Sequence, residues 1–239
     1  GRPGSPDQTG AAADQIDAFT GSAEPGDFAV AGDAVTYDGP AEWSYRRFVL
    51  HYARLCEAAG GVDAFLIGSE MRGLTTLRSD ANTYPFVNRL RTIAADVRDV
   101  LGPATKLSYA ADWTEYAGHR PDDGSGDVYF HLDRLWAHDD IDFIGIDNYM
   151  PLADWRDGTD HLDATVWDSG RSTAYLRANI AGGEGFDWFY ASDADRNAQT
   201  RTPITDGAHG KPWVHRTKDL KAWWSSLHYN RPGGVESPT

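Results

Sequence analysis

Three carboxylates stand where apolar runs end: Glu70 after "AFLIGS", Asp112 after "KLSYAA" and Asp147 after "IDFIGI". They are 42 and 35 residues apart, which fits one βα unit per acid, since such a unit takes about 30 residues or more. In a parallel arrangement all three would surface at the C-terminal ends of neighbouring strands, the face where barrel enzymes place their chemistry. Converging carboxylates suit glycosidic cleavage, in which one protonated carboxyl assists the leaving oxygen and an ionised one serves as nucleophile or base. Trp113, Tyr116, Tyr149, Trp155 and Trp167 offer flat apolar faces for pyranose rings. A plainer role competes for each residue. Asp caps helices, Glu favours their positive ends, and large aromatics commonly fill cores.

The elements that must carry these acids follow from periodicity. Tyr45, Phe48, Val49, Tyr52, Leu55 and Cys56 recur on one helical face, and Gly60-Gly61 ends that helix. The unalternated run at 64–68 predicts a parallel strand buried on both faces. Phe86, Leu90, Ile93, Val97 and Leu101 form a second helical stripe stopped by Gly102-Pro103. Strands are expected at 106–113 and 141–149, with a short helix within 128–138 between them. The alternation predicts an α/β fold with a parallel sheet. Residues 1–40 read as an irregular segment leading into the barrel domain, with a short helix near 10–20 and a hairpin near 28–37. Beyond Pro151, helices are expected at 171–191 and 218–228, the rest is loop, and no further buried strand is evident. Residues 41–239 thus read as the central βα units, and "GRPGSPDQTGAAADQ" as a linker or the middle of something longer.

Composition narrows the function classes. The 239 residues are 41% hydrophobic and 12% aromatic, with nine Trp and eleven Tyr, more large apolar surface than a disordered segment carries. A net charge of -14 without any Lys/Arg run argues against nucleic-acid recognition or an anionic membrane surface. No stretch approaches the roughly 18 apolar residues of a membrane span. The single cysteine, Cys56, reads as a buried free thiol. His131, His138, His161 and His209 lie in expected loops without ligand spacing, so no metal site is expected. Asp122, Asp123 and Asp127 do not fit the EF-hand pattern and read as loop. No nucleophile elbow or phosphate loop appears, and no cofactor is implied.

The stretches "FLIGSEMRGLT", "YPFVNRLRTIAADVRDVLG", "KLSYAADWTEY", "GDVYFHLDRLWA", "IDFIGIDNYMPLADWRDG", "AYLRANIAGGEGFDWFY" and "RTPITDGAHGKPWV" together closely resemble the TIM-barrel-like, glycoside-hydrolase-like domain of gene transfer agent and phage tail host-specificity proteins. The resemblance runs over nearly the whole chain. It implies a (β/α)8 TIM-barrel-like fold of which these residues are the central part, about strands four to six. It also implies a place at the tail tip or baseplate of a phage-like particle, made in the bacterial cytoplasm and acting outside the cell. The implied partners are other tail subunits and bacterial surface glycan or peptidoglycan. Glu70 matches the acid/base position of retaining TIM-barrel glycosidases, and Tyr149 resembles the tyrosine that holds their nucleophile. Asp147 and Tyr149 would orient Glu70 or that nucleophile, whose own position has no counterpart in this sequence. Ser69, Asp112, Trp113, Asn148 and Trp155 would line the sugar site, although Ser69 stands where those enzymes carry Asn. A catalytically inactive structural or receptor-binding module is the alternative.

Overall fold

Pro85 and Gly102 bracket the longest helix of the chain, and the stripe between them explains how the first half folds. The computed structural model describes residues 4–80, 82–206 and 209–239. In chain order, α1 (Gly10–Thr20) leads to an antiparallel hairpin of β1 (Phe28–Ala31) and β2 (Ala34–Tyr37), followed by α2 (Tyr45–Ala58). Next come β3 (Ala64–Ser69), the one-turn α3 (Arg72–Thr75), α4 (Pro85–Leu101), β4 (Lys106–Asp112), the one-turn α5 (Asp133–Trp136) and β5 (Gly145–Asp147). The remainder holds α6 (Thr173–Ala178), β6 (Trp188–Phe189), α7 (Asp193–Ala198), β7 (Thr202–Pro203), α8 (Leu220–Ser225), β8 (Tyr229–Asn230) and β9 (Ser237–Pro238).

The chain divides into two units, residues Gly1–Asp147 with Tyr229–Thr239, and Asn148–His228. The first contains a parallel sheet in the order β3-β4-β5. Pro at the first position of α4 costs no hydrogen bond, and Gly102, at φ +73°, closes it in a conformation that glycine adopts freely. Phe86, Leu90, Ile93 and Val97 are fully buried, each worth about 1.5–3 kcal/mol of apolar burial. A partly buried pair, Arg46 Nε to Asp96 Oδ2 at 2.6 Å, ties α2 to α4. The central strand β4 is buried from Leu107 to Ala111. Three residues before β5, Asp142 accepts from Leu107 N, Lys106 Nζ and Arg98 Nη2. Those bonds, the Leu107 amide first, hold its carboxyl well below the usual range.

Several expectations need correction. The chain is α/β, but the described residues close no barrel. β3 is an outer strand and is not buried on both faces: Ile67 is buried while Leu66 is 48% exposed. On α2 the buried residues are Val49, Leu50 and Ala53, and Phe48 and Tyr52 turn outward. The stripe was misplaced because aromatic residues dominate a periodicity count even where the packed face is aliphatic. The third strand pairs over only Gly145–Asp147. The long helix expected at 171–191 stops at Ala178, because Gly182, Gly183 and Gly185 follow, two of them at positive φ. Chain beyond them forms β6, which pairs antiparallel with β7 where loop was expected. Cys56 is half-buried rather than buried.

Candidate functional site

Two small residues let three strands bring their ends together. A Cβ on Gly145 would lie 2.7 Å from Tyr109 O and 3.1 Å from Ala110 Cα, so only glycine lets β5 approach β4 there. The register pairs Ala110 with Gly145 and Asp112 with Asp147. On the other side Leu66 pairs with Ser108 but Ser69 with Ala110, so β3 spends one extra residue and bulges. Bulges bend a strand and re-aim its end. With residues i and i+2 on one face, Ser69, Ala110, Asp112, Gly145 and Asp147 share a side of the sheet at its C-terminal edge. Across the small Ala110, Ser69 Oγ donates to Asp147 Oδ2 at 2.6 Å.

Glu70 follows immediately, and its backbone leaves the strand. It adopts φ +52°, a left-handed conformation uncommon for a residue with a Cβ, while its N–H donates to Ala110 O at 2.8 Å. Holding a non-glycine residue there costs about 1–3 kcal/mol and clusters at functional positions. The Glu70 side chain is exposed and its carboxylate has no partner among the described residues.

The other acids beside it are engaged. Asp112 Oδ1 accepts from Thr114 N at 2.7 Å and from Thr114 Oγ1, a local turn of the kind Asp commonly stabilises. Arg72 Nη1 donates to Thr114 Oγ1 at 2.9 Å, joining the segments after β3 and β4. Trp113 is half-buried next to Asp112. Tyr116 is only 1% exposed and belongs to the core, not to a sugar platform. Asp123 is drawn to Arg78 at 2.9 Å and Asp127 accepts from Tyr129 and Gly233, so these two acids serve the fold.

Asn148, Tyr149 and Trp155 belong to the second unit. Asn148 Oδ1 accepts from Met150 N at 2.9 Å, and Tyr149 is 71% exposed. Trp155 packs edge-on against His161 at 4.6 Å and lies close to Tyr175 at 5.7 Å. Its ring also closes over Gly170, where a Cβ would meet Cγ at 2.5 Å, so this indole is spent on packing within its unit. Trp167 packs against the same Tyr175.

Sequence reasoning missed Glu115, which lies 1% exposed beneath the strand ends. It accepts from Tyr109 Oη at 3.0 and 3.2 Å, from Asp112 N at 3.1 Å and from Thr75 Oγ1. Burial pushes its carboxyl up, against those donors. The signal was present: "DWTE" spaces Glu three after Asp, as a capping box does. A roomy apolar hollow of about 650 Å³ lies elsewhere in this unit, lined by Phe19, Tyr37, Trp43, Arg47, Phe48 and His51 among others, with no carboxylate among the described residues that line it.

The family model described as the GTA (gene transfer agent) TIM-barrel-like domain matches residues 43–239. No curated protein matches the chain.

Proposed function

The chain belongs to the gene transfer agent TIM-barrel-like domain family, and from that premise we propose that it serves a phage-like particle at its tail tip, acting on cell-envelope glycan during attachment and DNA delivery. The observation that carries this reading is Glu70. An exposed carboxylate, without a partner among the described residues, sits in a left-handed backbone conformation at the end of a parallel strand, one residue after Ser69, whose hydroxyl donates to Asp147. Its role is general acid/base: it gives its proton to the leaving glycosidic oxygen as the bond to the anomeric carbon breaks, and takes a proton from the water whose oxygen finally bonds to that carbon. Trp113 is the proposed sugar-facing aromatic of this unit, and Asp147 with Ser69 orients the reacting end. The central βα part of a barrel is the architecture this reading requires.

A specific observation also favours the second reading, a module that binds envelope glycan or neighbouring tail subunits without turnover. Asp112 is committed to its own turn and Asp147 to Ser69, so among the described residues neither of the other two strand-end acids is left without a partner as Glu70 is. The two readings part in one experiment. The whole protein is incubated with isolated envelope polysaccharide and with peptidoglycan, and both retention and release of reducing ends are followed. Retention with release supports the enzyme; retention without release supports the binding module. Neither retention nor release on any envelope glycan would sink the glycan reading altogether.

A further inference from the structure

Glu115 is an acid where an apolar residue would be cheaper. Placing a carboxylate in the core is costly unless its oxygens are satisfied. The donors that satisfy it come from the turn after Glu70 and from β4, the strand paired with β3. Thr75 ends the turn that follows Glu70, Tyr109 comes from the middle of β4, and the Asp112 amide from its end. Tyr109 is itself fully buried, and its hydroxyl does two things at once. It donates to Glu115, and it accepts from Met71 N at 2.7 Å, the amide immediately after Glu70. The Glu70 amide is held by Ala110 O. Consecutive amides on either side of the Glu70 Cα are therefore fixed to β4, one directly and one through the Tyr109–Glu115 pair.

We propose that Tyr109 and Glu115 are positioning residues that hold Met71 N–H and thereby keep Glu70 in its left-handed conformation at the strand end. Neither touches solvent, so neither is a catalytic residue. A core filled for stability alone has no reason to route a buried carboxylate's donors through the one tyrosine that grips the Met71 amide. The functional meaning of this brace rests on the reading of Glu70 as the acting acid; the brace itself does not.

The test is residue-resolved amide hydrogen exchange on the whole chain, with the Glu70 Cα chemical shift as a second readout. Tyr109→Phe keeps the ring and removes the hydroxyl. The expected result is exchange at Met71 faster by about three- to tenfold, the equivalent of one ordinary hydrogen bond, with the Glu70 shift moving away from its left-handed value. Amides of α4 such as Ile93 should change much less than Met71, which a general loss of stability would not produce. Glu115→Gln should give the same local pattern, because its amide turns a donor toward the tyrosine, and this variant carries the test if Tyr109→Phe does not fold. Unchanged exchange at Met71 with an unchanged Glu70 shift overturns the proposal. If Met71 responds but no variant or wild-type protein cleaves glycan, the brace stands and the enzymatic reading falls.

Discussion

At the scale of single residues, Glu70 separates stability from function. Its φ of +52° is a position glycine would fill without strain. Glu70→Gly should therefore raise stability by about 1 kcal/mol, seen as a melting temperature about 2–4 °C higher, while any activity on glycan is lost. A variant that melts lower would show that the Glu70 side chain supports the fold, contrary to its exposure. The carboxylate itself was legible in the sequence as an acid closing an apolar run. Its backbone conformation was not, because the bulge of β3 depends on how that strand registers against Ser108 and Ala110. Ser69 shows the same limit. Read alone it was a departure from an expected Asn, whereas in the fold its hydroxyl has a partner, Asp147, 78 residues away in sequence.

Elements carry two further predictions. The close approach of β5 to β4 depends on Gly145, so Gly145→Ala should cost about 1–3 kcal/mol through overpacking against Tyr109 O. Equilibrium urea unfolding checks this; an unchanged midpoint would mean that β5 can shift at no cost. The segment after β4 packs two histidines near Tyr84. His119 bonds Tyr84 Oη through Nδ1 at 3.0 Å, and its ring lies 5.8 Å from that of His131. Burial is the main cause that depresses both, His119 to about 4 and His131 to about 3; at His119 Arg78 and Arg72 add to it while Asp7 and Asp123 oppose it, and at His131 His119 and Arg72 add to it. An unfolded histidine titrates near 6.5. Between about pH 4 and 6.5 the unfolded chain therefore binds protons that the folded chain refuses, so stability rises with pH across that window. Acidification through it should cost up to about 1.4 kcal/mol per pH unit for each histidine. Calorimetric melts over this range, repeated with His119→Gln, should show a steep slope that the variant flattens. An NMR titration placing His119 near 6.5 would contradict this.

Long, strongly periodic elements were the legible ones. α4 and β4 needed only their own residues, because capping glycine, stripe and continuous apolar run all agree there. α2 was placed correctly but rotated, since Phe48 and Tyr52 lie on a face that the described structure leaves open. The second unit was the least legible. Its order comes from non-local pairs such as Arg201 with Asp154 and Asp163, at 2.8 and 2.6 Å, which leave no periodic trace.

On the whole-molecule scale, the first unit leaves apolar surface and strand edges uncovered. Trp43 is 96% exposed, Phe48 59%, Tyr52 50% and Leu66 48%, and β3 and β5 are both outer strands. Large exposed apolar patches and unpaired edges promote association. The 239-residue chain by itself should therefore associate with rising concentration, despite its net charge of -14. Light scattering coupled to gel filtration checks this. A strictly monomeric species that melts in one cooperative step at every concentration would show that these edges need no partner, and would count against the barrel-segment reading.

In the proposed mechanism, Glu70 is the group on which acid/base chemistry at this strand end depends. The most direct measurement is cleavage of isolated envelope glycan by the whole protein and by its Glu70→Gln variant, with glycan retention followed alongside. The prediction is a fall in cleavage rate of about 10²–10⁴-fold with retention preserved. Cleavage at the wild-type rate by the variant would contradict it.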